Sequence, residues 1–530
     1  MTYEEMKKTL WDAAIELRGS VSAAQYKYPV LGLVFLKYVS DMFAAQAGVI
    51  KEKLADPNSE LFIEDEEIRL ESENIFTNDK SFYEQDNVFW IPVEASYSKI
   101  LEKASLAKLP QIIDAAMVEI EKANPQLKGI LYKEFSRLEI EPSKLGDLVN
   151  TLAKLKFSRD EHGSKDIFGE VYEYFLGQFA LSEGQRAGEF YTPKSLVALN
   201  VEILSPFKGK IYDPACGSGG MFVQSAKFKD AHQAQFKQKG DLAIYGQEYM
   251  ADTRRLCLMN LAVHGLEGDI GSSHGSTFTN DQHKNLRADY VLANPPFSQK
   301  KWGVEKLAED PRWVFGVPPT NNANYGWLQH IWSRLSSRGR AGIILANGSM
   351  TSSTSNEDVI RKNMIEADAI DCMISLPPNL FSNVTIPACI WYLSKDKKSG
   401  KNGSRDREGQ ILFIDAKDFA EIQIARNQVA FSDEEILKIS QIYHRWRGTD
   451  FSDGLAYENI EGFCYSATLE EIKQKGFALT PSRYVGLADN EDEFDFEECF
   501  NALKSEFKVQ IQEENELNQA IVESLAKVVM

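Results

Sequence analysis

The 530-residue chain has few cysteines: Cys216, Cys257, Cys372, Cys389, Cys464 and Cys499 lie far apart, and none forms a C-x-x-C pair. That scatter argues against both a disulfide framework and a zinc site. His264, His274 and His283 fall near one another, but their spacing matches no metal pattern, so a polar surface loop accounts for them and no metal is expected. Positive charge is also short, with 59 Lys and Arg against 78 Asp and Glu, a net charge of −19. Phosphate binding is driven by cationic side chains, so a chain this acidic is not expected to coat nucleic acid by itself. No basic, apolar leader opens the sequence Met1-Thr2-Tyr3-Glu4-Glu5, so secretion is not expected. The most apolar early run, Tyr28 to Ala45, is broken by Lys37, Ser40 and Asp41. It reads as a buried helix and not as a membrane span. A cytoplasmic protein without membrane contact is expected, long enough for about three domains, and no internal repeat is visible.

Glycine is concentrated in one place. The stretch Ile211-Tyr-Asp-Pro-Ala-Cys-Gly-Ser-Gly-Gly-Met-Phe222 reads as a strand ending at Asp213, a turn through Gly217, Gly219 and Gly220, and a helix beginning near Met221. Such a strand-to-helix turn brings backbone close to a ligand. The loop lacks both the G-x-G-x-x-G spacing of dinucleotide sites and a Walker lysine. An Asp ahead of the turn repels a pyrophosphate but accepts hydrogen bonds from a cationic, amine-bearing ligand such as S-adenosylmethionine. Glu248 ends the next apolar strand, Leu242 to Glu248, where an acidic residue accepts from ribose hydroxyls.

A second motif lies downstream. Ala288-Asp-Tyr-Val-Leu-Ala293 is a buried-strand pattern that runs into Asn294-Pro295-Pro296-Phe297. Two prolines cannot continue a ladder, so the chain leaves the sheet at its carboxyl edge, where ligands of open α/β sheets bind. The amide before the prolines and the aromatic after them suit amino methylation. The lone pair of an exocyclic adenine amine is delocalised into the ring. The Asn294 side-chain oxygen and the Pro295 carbonyl, as two acceptors, hold its hydrogens and favour a tetrahedral nitrogen. Phe297 is placed to stack on a base swung out of the duplex.

Together with Gly188-Glu189-Phe190-Tyr191-Thr192-Pro193, these two motifs resemble the adenine-specific DNA methyltransferases, specifically the modification (M) subunit of type I restriction-modification systems. The resemblance runs over almost the whole chain, including Asp166 to Leu176, Asn321 to Ile331 and Leu479 to Gly486. It implies an α/β fold, a Rossmann-like S-adenosylmethionine-dependent methyltransferase sheet with a helical N-terminal domain and a helical C-terminal tail. It implies S-adenosylmethionine as cofactor, held by Gly188 to Pro193, Asp213, Ala215, Gly217, Ser218, Gly219, Gly220 and Glu248, with Asn294, Pro295, Pro296 and Phe297 as catalytic residues. The implied partners are DNA, a specificity (S) subunit that reads the sequence and a restriction (R) subunit, with two M copies per S. Related enzymes place an Asp near the end of the third strand to hold the cofactor adenine. Ser276 stands there in this chain, which leaves Asp269 and Thr277 as further candidates. Asn-Pro-Pro-Phe also occurs in enzymes that methylate RNA bases or a protein glutamine, and a scaffold with a lapsed cofactor site is the non-enzymatic alternative.

The remaining pattern suggests three parts. Residues 1–155 read as a helical domain, with Leu10, Trp11, Ala14 and Leu17 at helical spacing. Residues 156–450 alternate strands and helices, and residues 451–530 form a C-terminal segment. Thr192 reads as an N-cap with Pro193 in the first turn, a start that also suits the cofactor carboxylate. The polar stretch from Lys300 to Asn324 suits a loop over the base pocket, with Trp302 and Trp313 as its anchors. Lys395 to Arg407 reads as a solvated hairpin tip between two strands. No basic, base-reading segment follows Phe297. The terminal stripe of Leu503, Phe507, Ile511, Leu517, Ile521, Leu525 and Val528 either packs within the chain or meets a partner helix.

Overall fold

A computed structural model describes residues 23–86, 88–155, 167–183, 192–236, 240–303, 305, 307–381, 387–398, 404–425 and 428–486, with scattered residues near both termini. Its centre is a nine-stranded sheet. In chain order the strands are β1 (Gly209–Asp213), β2 (Leu242–Gly246), β3 (Gly268–Asp269), β4 (Ala288–Ala293), β5 (Leu335–Ala346), β6 (Ile370–Ser375), β7 (Ala388–Ser394), β8 (Gln410–Asp415), β9 (Ile422–Ala425), β10 (Gln428–Ala430) and β11 (Cys464–Thr468). Across the sheet they run β11-β8-β6-β7-β5-β4-β1-β2-β3, while β9 and β10 pair separately. The chain builds outward from β1 to β2 and β3, then returns to place β4 on the other side of β1. Strand order reverses there, which opens a crevice at the carboxyl ends of β1 and β4. Both strands run the same way, with Ile211 opposite Tyr290 and Tyr212 opposite Val291. The glycine loop and the Asn-Pro-Pro-Phe turn therefore leave the sheet side by side.

Every residue of β6 and β7 is buried, as expected of central strands covered on both faces. One covering layer includes the helices Lys194–Leu204 and Asp433–Arg447, which share a core with Ile211, Ile374 and Ile390. The opposite face packs Tyr325, Leu328 and Ile331 of the Asn324–Arg334 helix against Val291, Ile343 and Trp391.

The N-terminal part is helical. The Ala23–Ala55 helix is longer than the run Tyr28 to Ala45 suggested, and its Lys27–Ala55 portion has the length and composition of a membrane span. Its residues Val30, Leu31 and Leu33 to Leu36 are nevertheless fully buried against Ile113, Met117, Ile120, Leu145 and Leu152 of neighbouring helices. Tyr172, Phe175 and Phe179 of the Ile167–Glu183 helix join this core, as do Leu256, Met259 and Val263 of the Ala251–Val263 helix that follows β2. The bundle is thereby packed against the helix that follows β2 of the nine-stranded sheet.

Three readings need correction. β7 and β8 are not neighbours, because β6 lies between them, antiparallel to β7 and parallel to β8. The described ends of the 395–407 stretch, 395–398 and 404–407, are consequently not the arms of a solvated hairpin; residues 399–403 lie outside the described residues. Lys397 reaches Asp368 at 2.5 Å, and the fully buried Arg407 reaches Asp371 at 3.3 Å. His283 is buried, not part of a polar surface loop, and its Nε2 lies 2.8 Å from the Gly246 carbonyl oxygen. Residues 451–486 also pack on the sheet: β11 pairs antiparallel with β8, and Tyr484 stacks on Phe413 at 3.8 Å.

Candidate active site

The glycine loop is fixed from several directions. Gly217 and Gly219 have φ of +53° and +83°, and a Cβ on Gly219 would sit 2.9 Å from the Cys257 sulfur, so glycine is required there on both counts. Gly220 begins the Gly220–Phe236 helix. The Ala215 N–H donates to Asp213 Oδ1 at 2.9 Å. Glu248 accepts from Gly217 N–H at 3.0 Å with one oxygen and from Met250 N–H at 2.9 Å with the other. Asn260 Nδ2 donates to the Ser218 carbonyl, and the Thr277 hydroxyl donates to the Pro214 carbonyl at 2.6 Å. Gln247 bonds to Gly275, Asn280 and Gln282, tying the end of β2 to the following loop. Asn260 and Gln247 are struts that sequence reasoning missed, since single polar residues leave no periodic signal; Thr277, named there only as an adenine candidate, is a third strut.

Asp213 carries the main electrostatic tension. It is buried, which pushes its carboxyl up to about 8; the Ala215 N–H opposes this and the nearby Glu248 carboxylate reinforces it. Two carboxylates face the loop, and no described cation pairs with Asp213.

At the neighbouring edge, Asn294 Nδ2 donates to Thr192 Oγ1 at 2.9 Å. Its Oδ1 is buried and meets no donor among the described residues. A buried amide oxygen without a partner is costly, and here it lies where the chain leaves the sheet beside the glycine loop. Pro295 is buried, and Phe297 packs edge-on against Phe381 at 5.6 Å.

Thr192 does not cap the next helix. That helix spans Lys194–Leu204, its N-cap is Pro193, and no side chain caps it. This corrects the expected cap: the tertiary bond to Asn294 takes the hydroxyl instead. Ser195 Oγ, one residue into the helix, is likewise buried without a partner among the described residues. Gly188, Glu189, Phe190 and Tyr191 lie outside the described residues.

Each adenine candidate already makes hydrogen bonds within the chain. Thr277 is committed to Pro214, and Ser276 Oγ accepts from the Phe278 and Thr279 N–H groups. Asp269 sits on the edge strand β3 and accepts from Gly271 N–H. The 300–324 stretch is anchored as expected. Trp302 and Trp313 are buried with Phe278 and Trp327, and Ala215 of the glycine loop packs on this cluster. Arg312 donates to the carbonyls of Thr277 and Phe278, joining the loop to the same strut.

Comparison with known proteins agrees with this geometry. The N-6 DNA Methylase family model matches residues 163–493, and the HsdM N-terminal domain matches residues 6–152. The HindI methylase subunit of a type I restriction enzyme from Haemophilus influenzae is 43% identical over 425 residues, covering 78% of this chain and 91% of the relative. The MjaIX methylase subunit from Methanocaldococcus jannaschii is 35% identical over 528 residues, covering 98% and 91%. A solved type I restriction-modification methyltransferase subunit from Streptococcus thermophilus superposes with a TM-score of 0.71 at 25% identity, covering 92% of this chain and all of that one. With the paired motifs on adjacent strands of a mixed α/β sheet, these matches establish that the chain belongs to the N-6 DNA methylase family, as the methylase subunit of a type I restriction-modification system and hence an adenine-specific DNA methyltransferase.

Proposed function

We propose that this chain moves a methyl group from S-adenosylmethionine to N6 of an adenine swung out of duplex DNA, at sites chosen by a separate specificity subunit. The observation that carries this reading is the buried Asn294 Oδ1, which has no partner among the described residues and lies beside the glycine loop. An acceptor held in place without a donor suits an incoming amine hydrogen, and the Pro295 carbonyl is the natural second acceptor. Asn294 and Pro295 would hold the nitrogen so that its lone pair faces the methyl donor, while Phe297 would stack on the extruded base.

The residues present fit the cofactor. Asp213 is a buried carboxylate with another carboxylate near it, a setting that favours a cationic ligand. Gly217 and Gly219 let the backbone approach that ligand, and Glu248, whose carboxylate braces the loop through Gly217 N–H, is the acceptor assigned to the ribose hydroxyls. Ser195 Oγ, without a partner among the described residues, and the first-turn N–H groups of the Lys194–Leu204 helix suit a carboxylate. When bound, S-adenosylmethionine supplies an electrophilic methyl group on a sulfonium sulfur.

Specificity from another chain accounts for the net charge of −19. Phe507, Ile511 and Leu517 of the C-terminal helix are exposed, so the described part of the stripe does not pack within the chain. We assign that face to the specificity subunit, with two copies of this chain per specificity subunit and a restriction subunit completing the cytoplasmic assembly. We divide the chain into a helical part to residue 155, a catalytic sheet and the partner-binding tail.

The test is tritiated methyl transfer to adenine-containing duplexes by the assembled protein. Asn294→Ala is expected to abolish transfer while S-adenosylhomocysteine still binds with wild-type affinity, whereas Asp213→Ala loses that binding. Equal loss of binding in both variants overturns this division of roles.

A further inference from the structure

Thr192 sits at the meeting point of the two halves of the site. Its hydroxyl accepts from Asn294 Nδ2 across 102 residues of sequence and does not cap the helix beside it. Among the described residues no acceptor takes its proton, and the neighbouring Ser195 Oγ is also buried without a partner. A hydroxyl owns one proton and two lone pairs. An asparagine amide turns over readily, because its terminal torsion is broad and two-fold. If Thr192 gave its proton to Asn294, the amide would reverse and turn Nδ2 toward the site, donor against the donor of an incoming amine. If that proton goes elsewhere, only lone pairs face Asn294. The amide must then donate through Nδ2 and present Oδ1.

We propose that Thr192 is a positioning residue that couples the two ligands: the carboxylate end of the cofactor, at the start of the Lys194–Leu204 helix, accepts the Thr192 proton and so locks Asn294 with its oxygen facing the target amine. The proposal rests on the reading of Asn294 and of the helix start given above. It assigns to Thr192 a role in presenting the base acceptor, beyond contact with the cofactor. It implies that productive base capture follows cofactor binding.

The coupling is read by binding, without turnover. The full chain, assembled with its specificity subunit, is titrated with duplexes carrying either adenine or purine at the target position, with and without S-adenosylhomocysteine. Purine lacks the exocyclic amine, so the ratio of the two affinities reports the acceptor pair alone. In the wild-type protein S-adenosylhomocysteine should raise the adenine preference by about tenfold, the worth of one well-made hydrogen bond. Thr192→Val should abolish that enhancement, and Thr192→Ser, which keeps the hydroxyl, should restore it. Melting temperatures within about 2 °C of wild type verify that both variants fold, and the Thr192→Ser arm carries the comparison if the valine variant does not. Retention of the enhancement by Thr192→Val, or its loss in a well-folded Thr192→Ser, overturns the coupling and leaves the Asn294 assignment standing. Absence of any adenine preference in the wild-type protein overturns the Asn294 assignment and this proposal with it.

Discussion

Replacing Asp213 by Asn should make the protein more stable and useless at once. The carboxyl titrates near 8 in the folded chain and near about 3.9 when unfolded. The native state therefore holds the proton more tightly. Between those two values the unfolded chain releases a proton that the native chain keeps, so stability falls as pH rises, by at most about 1.4 kcal/mol per pH unit. Summed to pH 7.5, the ceiling is about 5 kcal/mol. Water entry and relaxation around a buried charge lower it, and about 1–3 kcal/mol is the expected gain for Asp213→Asn. The amide cannot ionise, yet it still offers Oδ1 to the Ala215 N–H. Thermal unfolding followed at pH 4, 6 and 7.5 should show a melting temperature that matches wild type at pH 4 and exceeds it by about 1–3 °C at pH 7.5. Calorimetry with S-adenosylhomocysteine should show wild-type affinity rising with pH toward about 8, as Asp213 ionises to meet the ligand ammonium, and little binding to the variant. A variant that melts with wild type at every pH, or one that binds the ligand normally, refutes the reasoning.

Other perturbations separate scaffold from site. Asp371→Ala leaves Arg407 buried without its carboxylate and removes the 2.7 Å bond from Tyr443; it should cost about 3–5 kcal/mol in denaturant unfolding. Gly219→Ala places a methyl against the Cys257 sulfur at positive φ and should cost about 1–3 kcal/mol. Gly220→Ala, whose Cβ would meet nothing within 4 Å, should change stability by no more than about 0.5 kcal/mol. Phe507→Asp with Leu517→Asp should leave the melting temperature of the isolated chain unchanged, because both residues are exposed, while weakening co-purification with the specificity subunit.

Much of the fold was legible because its signals are local. Asp213 to Gly220 and Ala288 to Phe297 carry their strand endings and turns within a dozen residues, and the four apolar runs at 341–346, 370–375, 388–393 and 410–415 are all strands. What local patterns do not encode is who neighbours whom. β7 runs antiparallel in a largely parallel sheet, yet its apolar run looks the same as that of β6, since both are covered on two faces. Lys397 and Arg407 read as loop charges because Asp368 and Asp371 lie some thirty residues away. Thr192 obeyed a capping rule in sequence and broke it in space, because the side chain it meets is contributed by β4's exit turn.

A comparison of two aspartates shows which deviations mark function. Asp213 and Asp371 lie at a strand end and within a strand, and both are fully enclosed. Burial would raise both carboxyls, yet Arg407, Arg447 and Lys397, with the Tyr443 hydroxyl, hold Asp371 well below the ordinary range. Asp213 has no such escort, and its electrostatic neighbour is another carboxylate. A fold that can surround one buried aspartate with three cations has the means to neutralise the other. Leaving Asp213 without a cation, and Asn294 Oδ1 and Ser195 Oγ without hydrogen-bond partners among the described residues, costs stability. On the function proposed above, the return comes from outside the chain, as a cation, an amine and a carboxylate that arrive together with the substrates.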